Sequence, residues 1–245
     1  MRLWKAWIVA EKELAFMKSR TTIMIFIVGL PLALAMLLAL VLYYEIDIRH
    51  TQVLMMTNLM GSFGFFFTIL AGIIPNYLSA TSIVMEKVEK SLEPLLATPT
   101  TDGEILMGKN IAAFIPTILS VFFSATVFML LADAVTSGPL GYNFFPNLAF
   151  VISLFVATPL ACIFSTGLSV FASSRAATVQ SAYQLGVIPL IPLFAVYVLG
   201  EVGIVSLSDP ENLWIISAGL FIAATFVFWL SFAKFDREEI LTNWR

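Results

Sequence analysis

Six stretches of this chain, each close to or above the roughly 20 apolar residues that cross a bilayer, limit its fold more than any other feature. They are residues 21–44, 53–85, 105–131, 148–171, 182–205 and 213–233. Coiled as a helix, such a run matches the ~30 Å hydrocarbon layer of a membrane. Inside that layer every peptide N–H and C=O needs an internal partner, and a helix supplies one along its own length. A water-soluble fold cannot absorb six such runs. With 60% hydrophobic and 12% charged residues, too little polar surface remains to face water. The mean hydropathy of +0.95 says the same. The expectation is an all-α integral membrane protein, a single transmembrane domain over 1–245 with six transmembrane helices.

Orientation follows from the basic residues, which favour the cytoplasmic side. Arg2, Lys5, Lys12, Lys18 and Arg20 precede the first run, and Lys87, Lys90 and Lys109 lie between or beside the second and third. Arg175 follows the fourth run, and Lys234, Arg237 and Arg245 follow the sixth. Twelve of the 13 basic residues thus share one side, leaving Arg49 alone on the other. A multi-pass cell-membrane protein with both termini cytoplasmic is expected. Residues 1–20 form a lead-in rather than a signal peptide, since Glu11, Lys12 and Glu13 precede any long apolar run. Within it Leu3, Trp7, Ala10, Leu14 and Met17 recur at helical spacing, with Lys5 and Lys12 opposite. That pattern predicts an N-terminal interfacial amphipathic helix with Trp4 and Trp7 at headgroup depth.

Catalytic chemistry finds little to work with. The spans carry no mid-membrane carboxylate or histidine of the kind that ion-coupled carriers use. The one histidine, His50, has no partner at useful spacing for a metal or a nucleophile, and the one cysteine, Cys162, cannot form an intrachain disulfide. Gly108-Lys109 is followed by Asn110 and lacks the upstream glycine of a P-loop. No metal, cofactor or nucleic-acid partner is expected on this chain, and any ATP must be bound elsewhere. Prolines interrupt five of the runs: Pro31, Pro75, Pro116, Pro159, and the pair Pro189 and Pro192. The pair, with Gly200 and Gly203 after it, makes 182–205 the run least suited to one straight rod. Ala161, Ser165, Ser169 and Ser173 recur every fourth residue and allow close helix packing.

The stretch 86–103 is the most informative. Val88, Leu92, Leu95 and Leu96 make an apolar stripe among Glu86, Lys87, Glu89, Lys90 and Glu93, and Pro94 suits a first helical turn. Thr101 and Glu104 have capping-box spacing at the start of the third span. A short amphipathic helix held near the membrane suits docking into a groove on a soluble protein.

These residues resemble a known family. Glu86, Glu89, Ser91-Leu92-Glu93, Leu95-Leu96, Thr98-Pro99 and Gly108-Lys109 are similar to the cytoplasmic segment of ABC-2 type transporter permeases, which have the type V exporter fold. Lys12-Glu13-Leu14 and Arg20 resemble that family's opening. Lys90 stands where members often carry glycine. The resemblance implies a permease that pairs with a second permease subunit, as a homodimer in the lipid bilayer, above soluble P-loop ATPase subunits that hold ATP and Mg. It assigns ATPase coupling to Glu86, Glu89, Leu92, Glu93, Leu95, Leu96, Thr98 and Pro99, and makes 1–20 the connecting helix. It turns the stretch after Pro189 into short outer re-entrant helices. The substrate path would run between spans two and five, past Phe63, Phe66, Phe67, Asn76, Tyr183 and Gln184. Two other classes fit the bare residues: a self-sufficient channel or secondary carrier, and a membrane assembly or scaffold protein. An apolar path with few charges suits lipids, hydrophobic drugs or peptides.

Overall fold

The computed structural model describes residues 3–47, 53–88, 101–175 and 179–234. Helix α1 is Leu3–Ser19, and the chain then turns at Arg20 into the first long helix. That helix comprises α2 (Thr21–Met24), a π-helical turn (Ile25–Gly29) and α3 (Leu30–Asp47). Helix α4 is Val53–Val88 and α5 is Asp102–Leu140. The fourth span joins α6 (Leu148–Ile152), a second π-helical turn (Ser153–Ala157) and α7 (Thr158–Arg175). After it come α8 (Val179–Val187), a 3-10 turn (Ile188–Leu190), α9 (Ile191–Glu201) and α10 (Pro210–Lys234). The described residues form helices and connecting turns, with no strand.

Five of the six predicted runs are helices long and apolar enough to cross a membrane: Thr21–Ile46, Met56–Ser79, Gly103–Gly138, Leu148–Ser169 and Pro210–Ser231. The run 182–205 is different. It does not form one crossing helix but divides at Ile188–Leu190 into α8 and the shorter apolar α9. Pro189 and Pro192 each lack an N–H, so the regular ladder cannot pass through them. Gly203, at φ +79°, ends α9 where a residue with a Cβ would be strained. The chain then folds back, and the Ser208 hydroxyl donates to the Thr57 carbonyl of α4 at 2.8 Å. The third span also exceeds its predicted 105–131, ending at Leu140 under a left-handed Gly141. Asp133 therefore lies within α5 rather than beyond it. Its carboxylate accepts the Phe144 and Phe145 N–H groups at 3.1 and 3.0 Å, pinning the following loop.

Helix α4 sits at the centre. Two-thirds (67%) of its spanning window is buried, against 28% for α10, which makes α10 peripheral. One face of α4, with Phe67, Leu70 and Ile74, packs with Ile27, Leu42 and Phe128 of the first and third spans. Its other face, with Phe65 and Ile69, packs with Ala157, Ala161, Leu190, Leu193 and Leu220. Outward faces are also apolar: Leu40 is 67% exposed and Ile215 71%. Such surface is stable only where lipid is the solvent.

Hydroxyls lie beside three of the span prolines. Pro31 removes the donor that the Ile27 carbonyl would receive one turn earlier, and the helix widens there into its π turn. The Ser120 hydroxyl of α5 donates to that carbonyl at 2.5 Å. Pro159 follows the second π turn, where the Thr158 hydroxyl donates to the Ser153 carbonyl at 2.9 Å. Near Pro75 the Ser165 hydroxyl donates to the Gly72 carbonyl. In hydrocarbon no water can perform this task, so the Ile27 carbonyl that Pro31 frees draws on a neighbouring side chain.

Candidate functional site

Two polar features stand out within the apolar bundle. The first is a seam between α4 and the fourth span. Thr68 shares hydrogen bonds with Ser153 at 3.0 Å and Thr158 at 3.1 Å, all three buried. Two turns along α4, Asn76 is fully buried. Its Oδ1 accepts from the Ser169 hydroxyl of α7 at 2.5 Å, and its Nδ2 donates to the Tyr183 carbonyl of α8 at 3.2 Å. One amide thus joins spans two and four to the first half of the fifth stretch. Gly186 permits this closeness, because a Cβ there would overlap Asn76 Oδ1.

The six residues assigned to a substrate path separate into groups. Asn76 and Tyr183 meet through that hydrogen bond, and the Tyr183 ring lies 6.4 Å from Tyr77. Phe66 stacks on Tyr197 of α9 at 5.4 Å. Phe63 and Phe67 instead turn into the bundle against Phe128 of α5, at 6.5 and 5.4 Å. Gln184 is exposed. Sequence reasoning read Ser165 and Ser169 only as small packing residues. Their four-residue spacing did put them on one face of α7, and that face is the one turned to α4.

The second feature lies beside the segment 86–103. Helix α4 continues through Glu86 to Val88, but Glu89, Leu92, Glu93, Leu95, Leu96, Thr98 and Pro99 fall outside the described residues, as does the side chain of Glu86. On its far side Thr101 and Glu104 form the capping box their spacing predicts. The Thr101 hydroxyl accepts the Glu104 N–H at 3.3 Å, and the Glu104 carboxylate accepts the Thr101 N–H at 3.0 Å. One turn further, Lys109 Nζ meets Glu13 Oε1 of α1 at 2.7 Å, with side chains only 2% and 7% exposed. Gly108 lets α1 come this near, since a Cβ there would stand 2.6 Å from the Ala6 carbonyl.

This contact changes which face of α1 is buried. Ala6, Val9, Ala10, Glu13 and Met17 face the bundle, whereas Trp7 of the predicted apolar stripe is 51% exposed, beside Trp4 at 58%. The predicted stripe mixed two directions, one toward protein and one outward, because both are apolar. The Glu13–Lys109 pairing was also not foreseen. A carboxylate and an amine 96 residues apart carry no local signal of their partnership.

In this arrangement no group of three or more His, Cys, Asp or Glu among the described residues could hold a metal ion. What it offers is a set of apolar helices held by buried hydroxyl, amide and ion-pair contacts. The family model described as ABC-2 family transporter protein matches residues 7–214. No curated protein matches the chain. That match spans α1, the bundle, the seam and the start of α10, and the chain is accordingly a multi-pass membrane protein that belongs to the ABC-2 transporter family, as a permease component.

Proposed function

We propose that the chain is the membrane-spanning permease subunit of an ATP-driven exporter with the type V fold, and that it works as a homodimer above two soluble P-loop ATPase subunits. The observation that carries this reading is the family match over 7–214. In it the chain crosses six times, with α8 and α9 together making the fifth crossing, and both termini are cytoplasmic. The distribution of basic residues supports that orientation. Helix α1 is the connecting helix, lying in the membrane interface with Trp4 and Trp7 outward.

The ATPase docks on 86–103, where Glu86, Glu89, Leu92, Glu93, Leu95, Leu96, Thr98 and Pro99 receive its motion, and ATP and Mg are held by that partner. The capped start of α5 and its buried ion pair to α1 make a stiff base for such a lever. Substrate, an apolar or amphiphilic molecule, passes where spans two and five of the two copies meet. Phe66, Asn76, Tyr183 and Gln184 lie along that seam, and Phe63 and Phe67 join its wall only when α4 and α5 part.

The test is co-expression with a P-loop ATPase and reconstitution into vesicles. Glu93→Arg, or paired alanines at Leu95 and Leu96, should leave the complex able to hydrolyse ATP while transport falls at least about tenfold, roughly 1.4 kcal/mol of coupling. Transport by the permease alone, with no ATPase present, would overturn the assignment.

A further inference from the structure

Helices α5, α7 and α10 leave a crevice between them that the transport reading does not use. Its smaller part, about 200 Å³, is bounded by Met107, Asn110 and Phe114 of α5 and by Thr166 of α7. The larger part, about 610 Å³, lies between α7 and α10 along Leu160, Phe221 and Ala224. Ile163 and Phe228 border both, so the two parts adjoin. The larger part alone falls in the ~300–1,000 Å³ range of small-molecule sites.

Polarity is confined to one end. Asn110 is 6% exposed, and its buried Oδ1 has no hydrogen-bond partner. The Thr166 hydroxyl donates to the Ile163 carbonyl at 3.0 Å, which leaves its oxygen able to accept. The deep end is walled by aliphatic and aromatic carbon, with the Thr225 hydroxyl turned back to the Phe221 carbonyl at 2.8 Å. Helix rise gives the depths. Asn110 lies about 12 Å from the start of α5 and Phe228 about 9 Å from the end of α10, whereas Phe221 lies about 20 Å in. The polar end is therefore level with α1 and the Lys109–Glu13 pair, and the apolar end approaches the bilayer middle.

A carbon-lined groove open to lipid, with an unmet acceptor at interface depth, has the polarity of one glycerophospholipid. We infer that the crevice is a binding site for a phospholipid of the leaflet facing the N-terminal end of α5. One acyl chain lies between α7 and α10, and a headgroup N–H or O–H donates to Asn110 Oδ1. Ethanolamine and glycerol headgroups supply that donor, and choline does not. Such a lipid bridges three helices, including the base of α5 that carries the ion pair. The inference needs only that these helices span a membrane, so it stands or falls separately from ATPase coupling.

The experiment uses the full chain in phosphatidylethanolamine–phosphatidylglycerol vesicles with a trace of phosphatidylethanolamine carrying a photoreactive acyl chain. Labelled peptides are mapped by mass spectrometry. Labelling should concentrate on Ile163, Phe221 and Ala224, and Ala224→Trp should remove it at least fivefold. Leu40→Trp, on an exposed face of α3, should change nothing. Excess phosphatidylethanolamine should compete at least fivefold better than phosphatidylcholine, a preference that Asn110→Leu abolishes. The competition on the unaltered chain decides the headgroup claim should that variant not fold. Labelling spread evenly over all outward faces, or equal competition by the two lipids, would overturn the inference. So would cross-linking of Thr225→Cys to a second copy or to residues 235–245, which would make the occupant protein.

Discussion

Lys109→Met leaves the Glu13 carboxyl buried between two packed helices without its 2.7 Å ion-pair partner. Removing one partner of a buried ion pair costs about 3–5 kcal/mol, because the remaining charge keeps its desolvation penalty and loses its compensation. The Glu13–Lys109 contact meets the conditions for that range, being 2.7 Å long with both side chains more than nine-tenths buried. The predicted loss corresponds to roughly a hundred- to several-thousand-fold in the folding equilibrium. Glu13→Leu should also be harmful, since it takes this carboxylate away from the buried Lys109 ammonium. The double variant Glu13→Leu/Lys109→Met should recover most of the loss, as apolar replacement of a whole buried pair is often neutral or stabilising. Equilibrium unfolding in mixed micelles, read by circular dichroism against the SDS fraction, gives the three differences and hence a coupling energy. A coupling below about 0.5 kcal/mol, or singles that merely add in the double variant, would refute the claim that this pair fastens α1 to α5.

Three further outcomes follow from close contacts. Ser120→Ala removes the hydroxyl that serves the Ile27 carbonyl freed by Pro31, and the same unfolding assay should show a loss of about 1 kcal/mol, within the ~0.6–1.7 kcal/mol measured for hydrogen bonds between membrane helices. Gly186→Ala drives a Cβ into Asn76 Oδ1. It should cost about 1–3 kcal/mol by overpacking and distinctly less in an Asn76→Ala background, whereas equal costs in the two backgrounds would show that Asn76 is not the obstacle. Gly108→Val places carbon against the Ala6 carbonyl and Val9, so trypsin should cut after Lys12 and Lys18 at least about tenfold faster than in the unaltered chain, a shift of roughly 1.4 kcal/mol toward the lifted state.

What could be read from the residues alone was whatever depends on a single helix and its solvent. Apolar run length located five spanning helices, and turn chemistry located the capping box of Thr101 and Glu104. The proline pair marked 182–205 as the run least suited to one straight rod, though it was still expected to cross, and the residues around 86–109 pointed to the family. Each of these is set by local bond geometry or by the need to hide peptide groups from hydrocarbon, so the sequence determined it.

Tertiary structure decided which of several equivalent apolar faces meets which. In lipid the outward and inward faces of a span are both hydrophobic, so the stripe of α1 with Trp7 and the path residues Phe63 and Phe67 could not be oriented from composition. The polar groups made the choice. Asn76 selected Ser169 and the Tyr183 carbonyl, Ser120 selected the Ile27 carbonyl, and Glu13 selected Lys109. Each is buried where hydrocarbon gives it no alternative partner, and only the packed bundle brings those partners within reach.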